Sequence, residues 1–493
     1  MKKFFLISLM VLLGASVNAQ QKKVLNSYVS YATFNVPDNS STPYVETYIT
    51  FDKNSLIYTK GVNGQYNATV NVTILFKQGE SIKSYGKYSL SSPLEADTAN
   101  ISGMFMDMQR YSLENGTYTL DLTLEDANNK SNNAYHVEDE ILVDFPDRFC
   151  ISSIIGLESY SKATTDSNMS KNGYDLIPMV VPYYPETMNK LAFYAEIYNA
   201  KKQLGDDKYL LNTYICAFET GTVLNNFFFT KRMTAKDIDI IINNIDITNL
   251  PSGNYYLMLE ARDRNNEIIG LNRLFFQRSN PYYQIDKSIM AGINTTDVFA
   301  GKITNLDSIR EYIRTLYPIS TLVEKDYAEE LVKTDDINTM QQYFYTFWSS
   351  RDNINPEQAW EDYHAQVERV NMSFKTLNSK GYASDRGRVF LKYGAPDRIV
   401  QSYNEPGAFP YEIWHYYALG TQRNKKFVFM TRDIVTNDFK LIHSDAVGEL
   451  NNFRWTTEIY QRTYGTYYDY GVDGAANPDS YGDKAKDYYD NPR

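Results

Sequence analysis

One pair of segments narrows the possible folds of this chain more than any other feature. Asn115-Gly116-Thr117-Tyr118-Thr119-Leu120-Asp121-Leu122-Thr123-Leu124-Glu125-Asp126-Ala127-Asn128-Asn129-Lys130 aligns without a gap on Ser252-Gly253-Asn254-Tyr255-Tyr256-Leu257-Met258-Leu259-Glu260-Ala261-Arg262-Asp263-Arg264-Asn265-Asn266-Glu267. The offset from Gly116 to Gly253 is 253 − 116 = 137 residues. In both, a glycine turn leads into a strand whose Tyr, Leu and Leu lie two apart on one face, and an Asp-x-Asn-Asn turn closes it. Two tandem domains follow. The period suits an immunoglobulin-like β-sandwich of about 100 residues with insertions, a fold in which such a strand sits near the end.

The flanking sequence agrees. Val45–Phe51 and Tyr66–Phe76 alternate with period 2 and are rich in β-branched residues, with Gly, Asn and Pro between them. Tyr at 43 and Phe at 25 in 493 residues also favour strands over Ala/Leu-rich helices.

Near residue 284 the pattern changes. Asn305–Leu316, Leu322–Val332 and Asp336–Ser349 read as helices. A fourth begins at Asn355-Pro356-Glu357, and its Trp360, Tyr363, Val367, Val370, Phe374 and Leu377 step 3, 4, 3, 4, 3 along one face, which reads as a core-facing stripe. Arg388–Tyr393, Glu412–Tyr417, Phe427–Met430 and Lys440–His443 read as strands of an antiparallel meander packed on the helices. The last 31 residues hold seven tyrosines and almost no aliphatic side chain, so a disordered tail is expected. The expected fold is therefore multi-domain: β-sandwich 1 over 20–148, β-sandwich 2 over 149–283, a helical linker over 284–334, an α+β module over 335–462 and the tail over 463–493.

Lys2 and Lys3 before the ten-residue apolar run Phe4–Leu13, then Val17-Asn18-Ala19, read as a signal peptide over 1–19, cleaved after Ala19. The apolar run spans only about 15 Å of helix against about 30 Å of hydrocarbon, and no later segment approaches about 20 apolar residues, so no transmembrane segment is expected. Removing two lysines leaves 47 basic against 60 acidic residues, 47 − 60 = −13, which argues against a nucleic-acid partner. Cys150 and Cys216 would meet an oxidising compartment and two readings stand: a disulfide, or small buried thiols, since Cys216 lies inside the strand-like Tyr209–Phe218.

Several residues then carry a resemblance. Phe347-Trp348-x-x-Arg351-Asp352, Tyr363, Arg369-Val370, Phe374, the run Gly381-Tyr382-Ala383-Ser384-Asp385-Arg386-Gly387-Arg388-Val389-Phe390-Leu391-Lys392-Tyr393-Gly394-Ala395-Pro396-Asp397 and Tyr411-Glu412-Ile413-Trp414-x-Tyr416 resemble the GWxTD domain of exported bacterial proteins, over roughly 335–460. Tyr382 stands for the motif's Trp and Ser384 for its Thr, keeping an aromatic ring and a hydroxyl. The resemblance implies a cell-envelope protein of Gram-negative type, with sandwich repeats ahead of the domain and no established reaction. Gly394-Ala395-Pro396-Asp397, Trp414-His415-Tyr416 and Phe427-Val428-Phe429 also resemble, in order, small outer-membrane lipoproteins of the β-barrel assembly machinery, which implies a protein-binding module near the outer membrane.

The charged run has two readings. Asp385 accepting backbone N–H groups or pairing with Arg386 or Arg388, with Gly387 and Gly394 freeing the backbone, would make a strand-turn scaffold. Alternatively Asp385, Arg386, Arg388, Asp397, Tyr411 and Trp414 form a docking surface, because Trp, Tyr and Arg dominate binding hot spots. No nucleophile elbow, phosphate loop, dinucleotide fingerprint or zinc spacing is present, so no cofactor or metal is expected, and His364 is explained by Glu368 four residues on. Asp97-Thr98-Ala99 resembles a bacterial O-glycosylation sequon and makes Thr98 a candidate modification site; Asp307-Ser308-Ile309 is the second such triplet. The resulting expectation is a non-catalytic periplasmic protein, associated with the outer membrane through an envelope protein partner, possessing a protein-binding C-terminal module. An envelope hydrolase with accessory sandwiches and a carbohydrate-binding protein using Trp414 or Trp455 are the alternatives. Oligomeric state is open.

Overall fold

The computed structural model describes residues 25–36, 42–129, 134–164, 169–281, 292–420, 422–452, 454–460 and 484–491. The expected leader over 1–19 and most of the tail, 463–483, lie outside them.

Alternation builds the first half. In Thr69–Gln78, Val70, Val72, Ile74 and Phe76 are buried and the residues between them half-buried, so one face of the strand needs a cover. The four-stranded sheet Ser81–Ser91, Thr69–Gln78, Gly116–Asp126, Tyr135–Val143 receives it from the three-stranded sheet Ser27–Phe34, Tyr44–Asp52, Met104–Ser112, with Ile49, Phe51, Val72 and Leu122 in the shared core. The second half repeats this. Val223–Thr234, Lys208–Ala217, Gly253–Arg262 and Ile268–Arg278 form one sheet in that order, extended in parallel by Tyr183–Tyr184. It faces a sheet in which Lys190–Tyr198 pairs with Ile155–Lys162 and Ile238–Asp246, over Phe193, Ile215 and Leu257.

The repeat has a physical reason. Tyr118 donates its hydroxyl hydrogen bond to the Glu114 carbonyl at 2.9 Å and Tyr255 does the same to Pro251 at 3.0 Å, each four residues back at the strand's entry. This is the tyrosine corner by which sandwiches fix the chain entering an inner strand. The two sandwiches touch through Phe34 and Tyr48 of the first and Leu157, Leu176 and Tyr194 of the second. Cys150 sits on the short strand Cys150–Ile151 and Cys216 on Lys208–Ala217 in the other sheet; both are free, so the disulfide reading is not realised. Burial pushes both thiols upward, Cys150 to about 11.

The helices Leu306–Thr315, Leu322–Leu331, Ile337–Ser349 and Pro356–Phe374 start where side chains cap them: Asn305, Thr321 in a capping box with Glu324, Asp336, and Asn355 with Pro356 following. Their apolar faces converge in one cluster, Ile309, Ile313, Ala328, Met340, Phe344, Trp348 and Trp360 among them. The segment read as a linker thus shares a core with the module, because Ile309 and Ile313 find their cover there. The long helix ends at Phe374, and Leu377, read as the last member of its stripe, stands on the following turn, 75% exposed.

The four strands Arg398–Ser402, Tyr411–Leu419, Gln422–Met430 and Lys440–Ser444 form an antiparallel meander. Its period-2 alternation splits two cores: Tyr411 and Ile413 face Trp455 and Ile459, while Trp414 and Tyr416 face Val389. Two expectations fail here. Asp385–Tyr393 is a helix, not a strand: the Ser384 side chain accepts from the Gly387 N–H at its start, and Gly394 ends it at φ 85°. The chain's end, read as wholly disordered, carries a helix at Ala485–Asp490, with Ala485, Tyr488 and Tyr489 packed on the meander. Aromatic side chains supply there the apolar area that aliphatic ones do not.

Candidate functional site

Two glycines set the geometry of the signature run. A methyl group on Gly387 would stand 1.9 Å from the Gly381 carbonyl oxygen, and one on Gly381 2.1 Å from that of Val370. Only hydrogen there lets the long helix, the turn and the helix Asp385–Tyr393 cross backbone against backbone. Ser384 Oγ donates to the Gly381 carbonyl at 2.7 Å and accepts from the Gly387 N–H at 3.1 Å, so the buried hydroxyl serves both sides of the crossing.

The charged residues bind this helix to the meander. Asp385 Oδ2 accepts the Leu441 N–H at 2.8 Å. Arg386 is buried and donates to Glu412 at 3.0 Å and to the Asn437 carbonyl and side chain at 2.9 and 2.6 Å, its guanidinium 4.2 Å over the Phe439 ring. Glu412 also accepts from Trp414 Nε1 at 3.0 Å, Gln401 at 3.2 Å and the Tyr403 hydroxyl. Arg388 holds Glu449 through two bonds of 3.1 and 2.7 Å, and Lys392 and Tyr393 add bonds of 2.9 and 2.7 Å to the same carboxylate. Burial would raise the Glu449 carboxyl, but Arg388 and Lys392 outweigh it and hold it at about 2. Asp397 accepts the Tyr417 N–H at 2.7 Å, and the Tyr411 hydroxyl donates to Glu405 at 2.6 Å.

The six nominated residues therefore do not share one open face: Asp397 is exposed and Asp385 and Arg388 half-buried, but the other three are inside. Tyr411 and Trp414 are fully buried, Arg386 nearly so, and Trp455 is buried against His443 and Tyr489. The sequence reading nominated none of the partners, Glu405, Glu412, Asn437 and Glu449, as site residues. Glu412 left a signal: a carboxylate between Tyr411 and Ile413, inside an apolar strand, requires a buried cation.

A groove of about 290 Å³ opens where this crossing meets the helix Leu306–Thr315. Tyr312, His364, Glu368 and Lys375 line it, with the Lys380–Glu311 ion pair, 2.6 Å, at its edge. His364 lies 3.7 Å from Glu368, its ring 4.7 Å from that of Trp360 and 5.3 Å from that of Tyr312. The lining is of mixed sign. Among the described residues no three His, Cys, Asp or Glu side chains gather as metal ligands, and no helix is long and apolar enough to cross a membrane. Burial lowers His443, to about 3, and His415. Thr98 is exposed on a turn where Asp97 accepts the Ala99 N–H at 2.9 Å, whereas Ser308 sits in a helical first turn beside buried Ile309.

Residues 282–461 match the model of the GWxTD domain, a span that includes the helices first read as linker. No curated protein matches the chain. Among solved structures, fibronectin(III)-like modules of Clostridium thermocellum CbhA align at 11% identity and TM-score 0.13, over 49% of this chain and 90% of theirs. A glycosyl hydrolase family 2 member from Bacteroides cellulosilyticus aligns at 9% identity and TM-score 0.19, over 48% of this chain and 27% of its own. A Bacteroides uniformis β-glucuronidase aligns at 10% and 0.17, over 59% and 38%. At those TM-scores the likenesses carry no argument.

Proposed function

We propose, with the GWxTD domain at residues 282–461 as the premise, that this chain is an exported, non-catalytic envelope protein that binds another envelope protein as a scaffold component. In this reading residues 1–19 are a cleaved leader, residues 20–283 two immunoglobulin-type sandwiches, and the periplasm the compartment. One observation carries it: the polar groups of the signature run are spent inside the module, Asp385 on Leu441, Arg386 on Glu412 and Arg388 on Glu449. A carboxylate or guanidinium so committed holds a fold together and is not free to move a proton or grip a substrate. Recognition then belongs to the exposed surface, and Thr98, on its open turn, is the proposed position of an O-linked glycan.

The test is photo-crosslinking from exposed Phe229 and Leu271 in native envelope, beside a broad glycosidase, esterase and peptidase screen of the purified full chain. A discrete adduct and no turnover are expected. Turnover abolished by Asp385→Asn or Asp397→Asn overturns the reading in favour of an envelope hydrolase.

A further inference from the structure

We propose that the two neighbouring turns over residues 375–380 and 433–437 dock on a zwitterionic phospholipid surface. Single exposed apolar side chains are ordinary, but here three converge. Leu377 is 75% exposed, Val435 83% and Ile434 48%. The Leu377 N–H donates to the Thr436 carbonyl at 3.1 Å and Asn437 Nδ2 to that of Lys375 at 2.9 Å, so the turns form one edge. That edge is braced from below, since Arg386 grips Asn437 through both its carbonyl and its side chain. Aliphatic tips are thus held outward on rigid backbone.

The chemistry favours lipid over protein. Protein hot spots use Trp, Tyr and Arg seated in shaped pockets, while these tips are aliphatic, projecting from turns. Such side chains enter the boundary between headgroups and acyl chains, which conforms to them. The charges choose the headgroup. The turn that carries Leu377 also brings Lys375 to the mixed-sign groove that Glu368 lines, where Lys380 and Glu311 are already paired with each other. Lys375 and exposed Glu368, a cation and a carboxylate on one groove, complement a phosphate and an ammonium in one headgroup, as in phosphatidylethanolamine. A chain of net charge −13 once Lys2 and Lys3 leave with the leader is in turn repelled by an anionic surface. This inference stands apart from the protein-partner reading and survives its failure.

Co-sedimentation of the purified full chain with vesicles tests it. The chain is expected to partition onto mixed phosphatidylethanolamine and phosphatidylcholine vesicles, with little dependence on salt, and more weakly when phosphatidylglycerol replaces the ethanolamine lipid. Leu377→Asp with Val435→Asp is expected to lower the partition coefficient at least about tenfold, with the unfolding midpoint unchanged because both residues are exposed. Lys375→Glu should weaken binding and leave the double variant's residue of binding unaltered. Absence of wild-type partition, a double variant that binds normally, or stronger binding to the anionic vesicles would overturn the proposal. So would a concentration-dependent self-association removed by the same pair while vesicle binding persists, which would make the edge a contact between copies.

Discussion

At Gly387 a hydrogen atom is all the space allows, whereas Gly394, at φ 85°, has nothing within 4 Å of where its Cβ would stand. Gly387→Ala must push backbone from backbone and is expected to cost about 3 kcal/mol or more, while Gly394→Ala should cost about 1 kcal/mol of dihedral strain, both read from denaturant midpoints. Glu449 gives a pH signature. Its folded value, about 2, lies below the ordinary 4.5, so its contribution is complete above pH 4.5 and is lost as pH falls from there towards 2. Glu449→Gln is expected to flatten that limb of the stability curve. The sequence pointed to Asp385, Arg386 and Arg388 as a working cluster but left their work undecided. Their partners lie 26 positions away at Glu412 and 61 at Glu449, beyond any local pattern.

Among the elements, the repeated strand was legible because the tyrosine corner needs Gly, Tyr and alternating Leu in fixed places. The signature helix was misread because Val389-Phe390-Leu391 is apolar at three successive positions and fits either period; Ser384 at its start and Gly394 at its end decide it. The C-terminal helix was hidden by counting only aliphatic residues. Tyr489 lies 5.1 Å from the Trp455 ring and 5.4 Å from His443, and the Lys484 N–H donates to Glu405 at 2.8 Å. A helix of six residues has no stability of its own, so its order comes from this seat. Tyr489→Ala is expected to cost about 1–3 kcal/mol, to shift Trp455 fluorescence to the red and to open residues 484–491 to proteolysis while the meander stays folded.

Across the whole molecule, buried ion pairs and cross-domain contacts tie the sandwiches to each other and to the C-terminal module. Lys171, on the second, is buried 3.2 Å from Glu46 of the first and 3.6 Å from Glu196 of its own, over the Phe34 ring. Arg454 of the module donates to the Leu25 carbonyl at 3.1 Å, and Lys392 lies 5.8 Å over Phe218. None of this was legible, since residues 46, 171 and 196 come from separate strands and share no spacing. Lys171→Met would take the cation from between two buried carboxylates but leave Glu46 its Arg110 contact at 2.8 Å and Glu196 its two tyrosine hydroxyls, so it is expected to cost about 1–3 kcal/mol, read from the denaturant midpoint. That the signature residues are framework is tested by a double-mutant cycle on Arg388 and Glu449 in the full chain, followed by denaturant unfolding. Arg388→Ala and Glu449→Ala are each expected to destabilise by about 1–3 kcal/mol, with the double variant losing less than their sum. Unchanged midpoints in both single variants, with crosslinking to the envelope partner lost, would contradict it and return the signature run to the role of a docking surface.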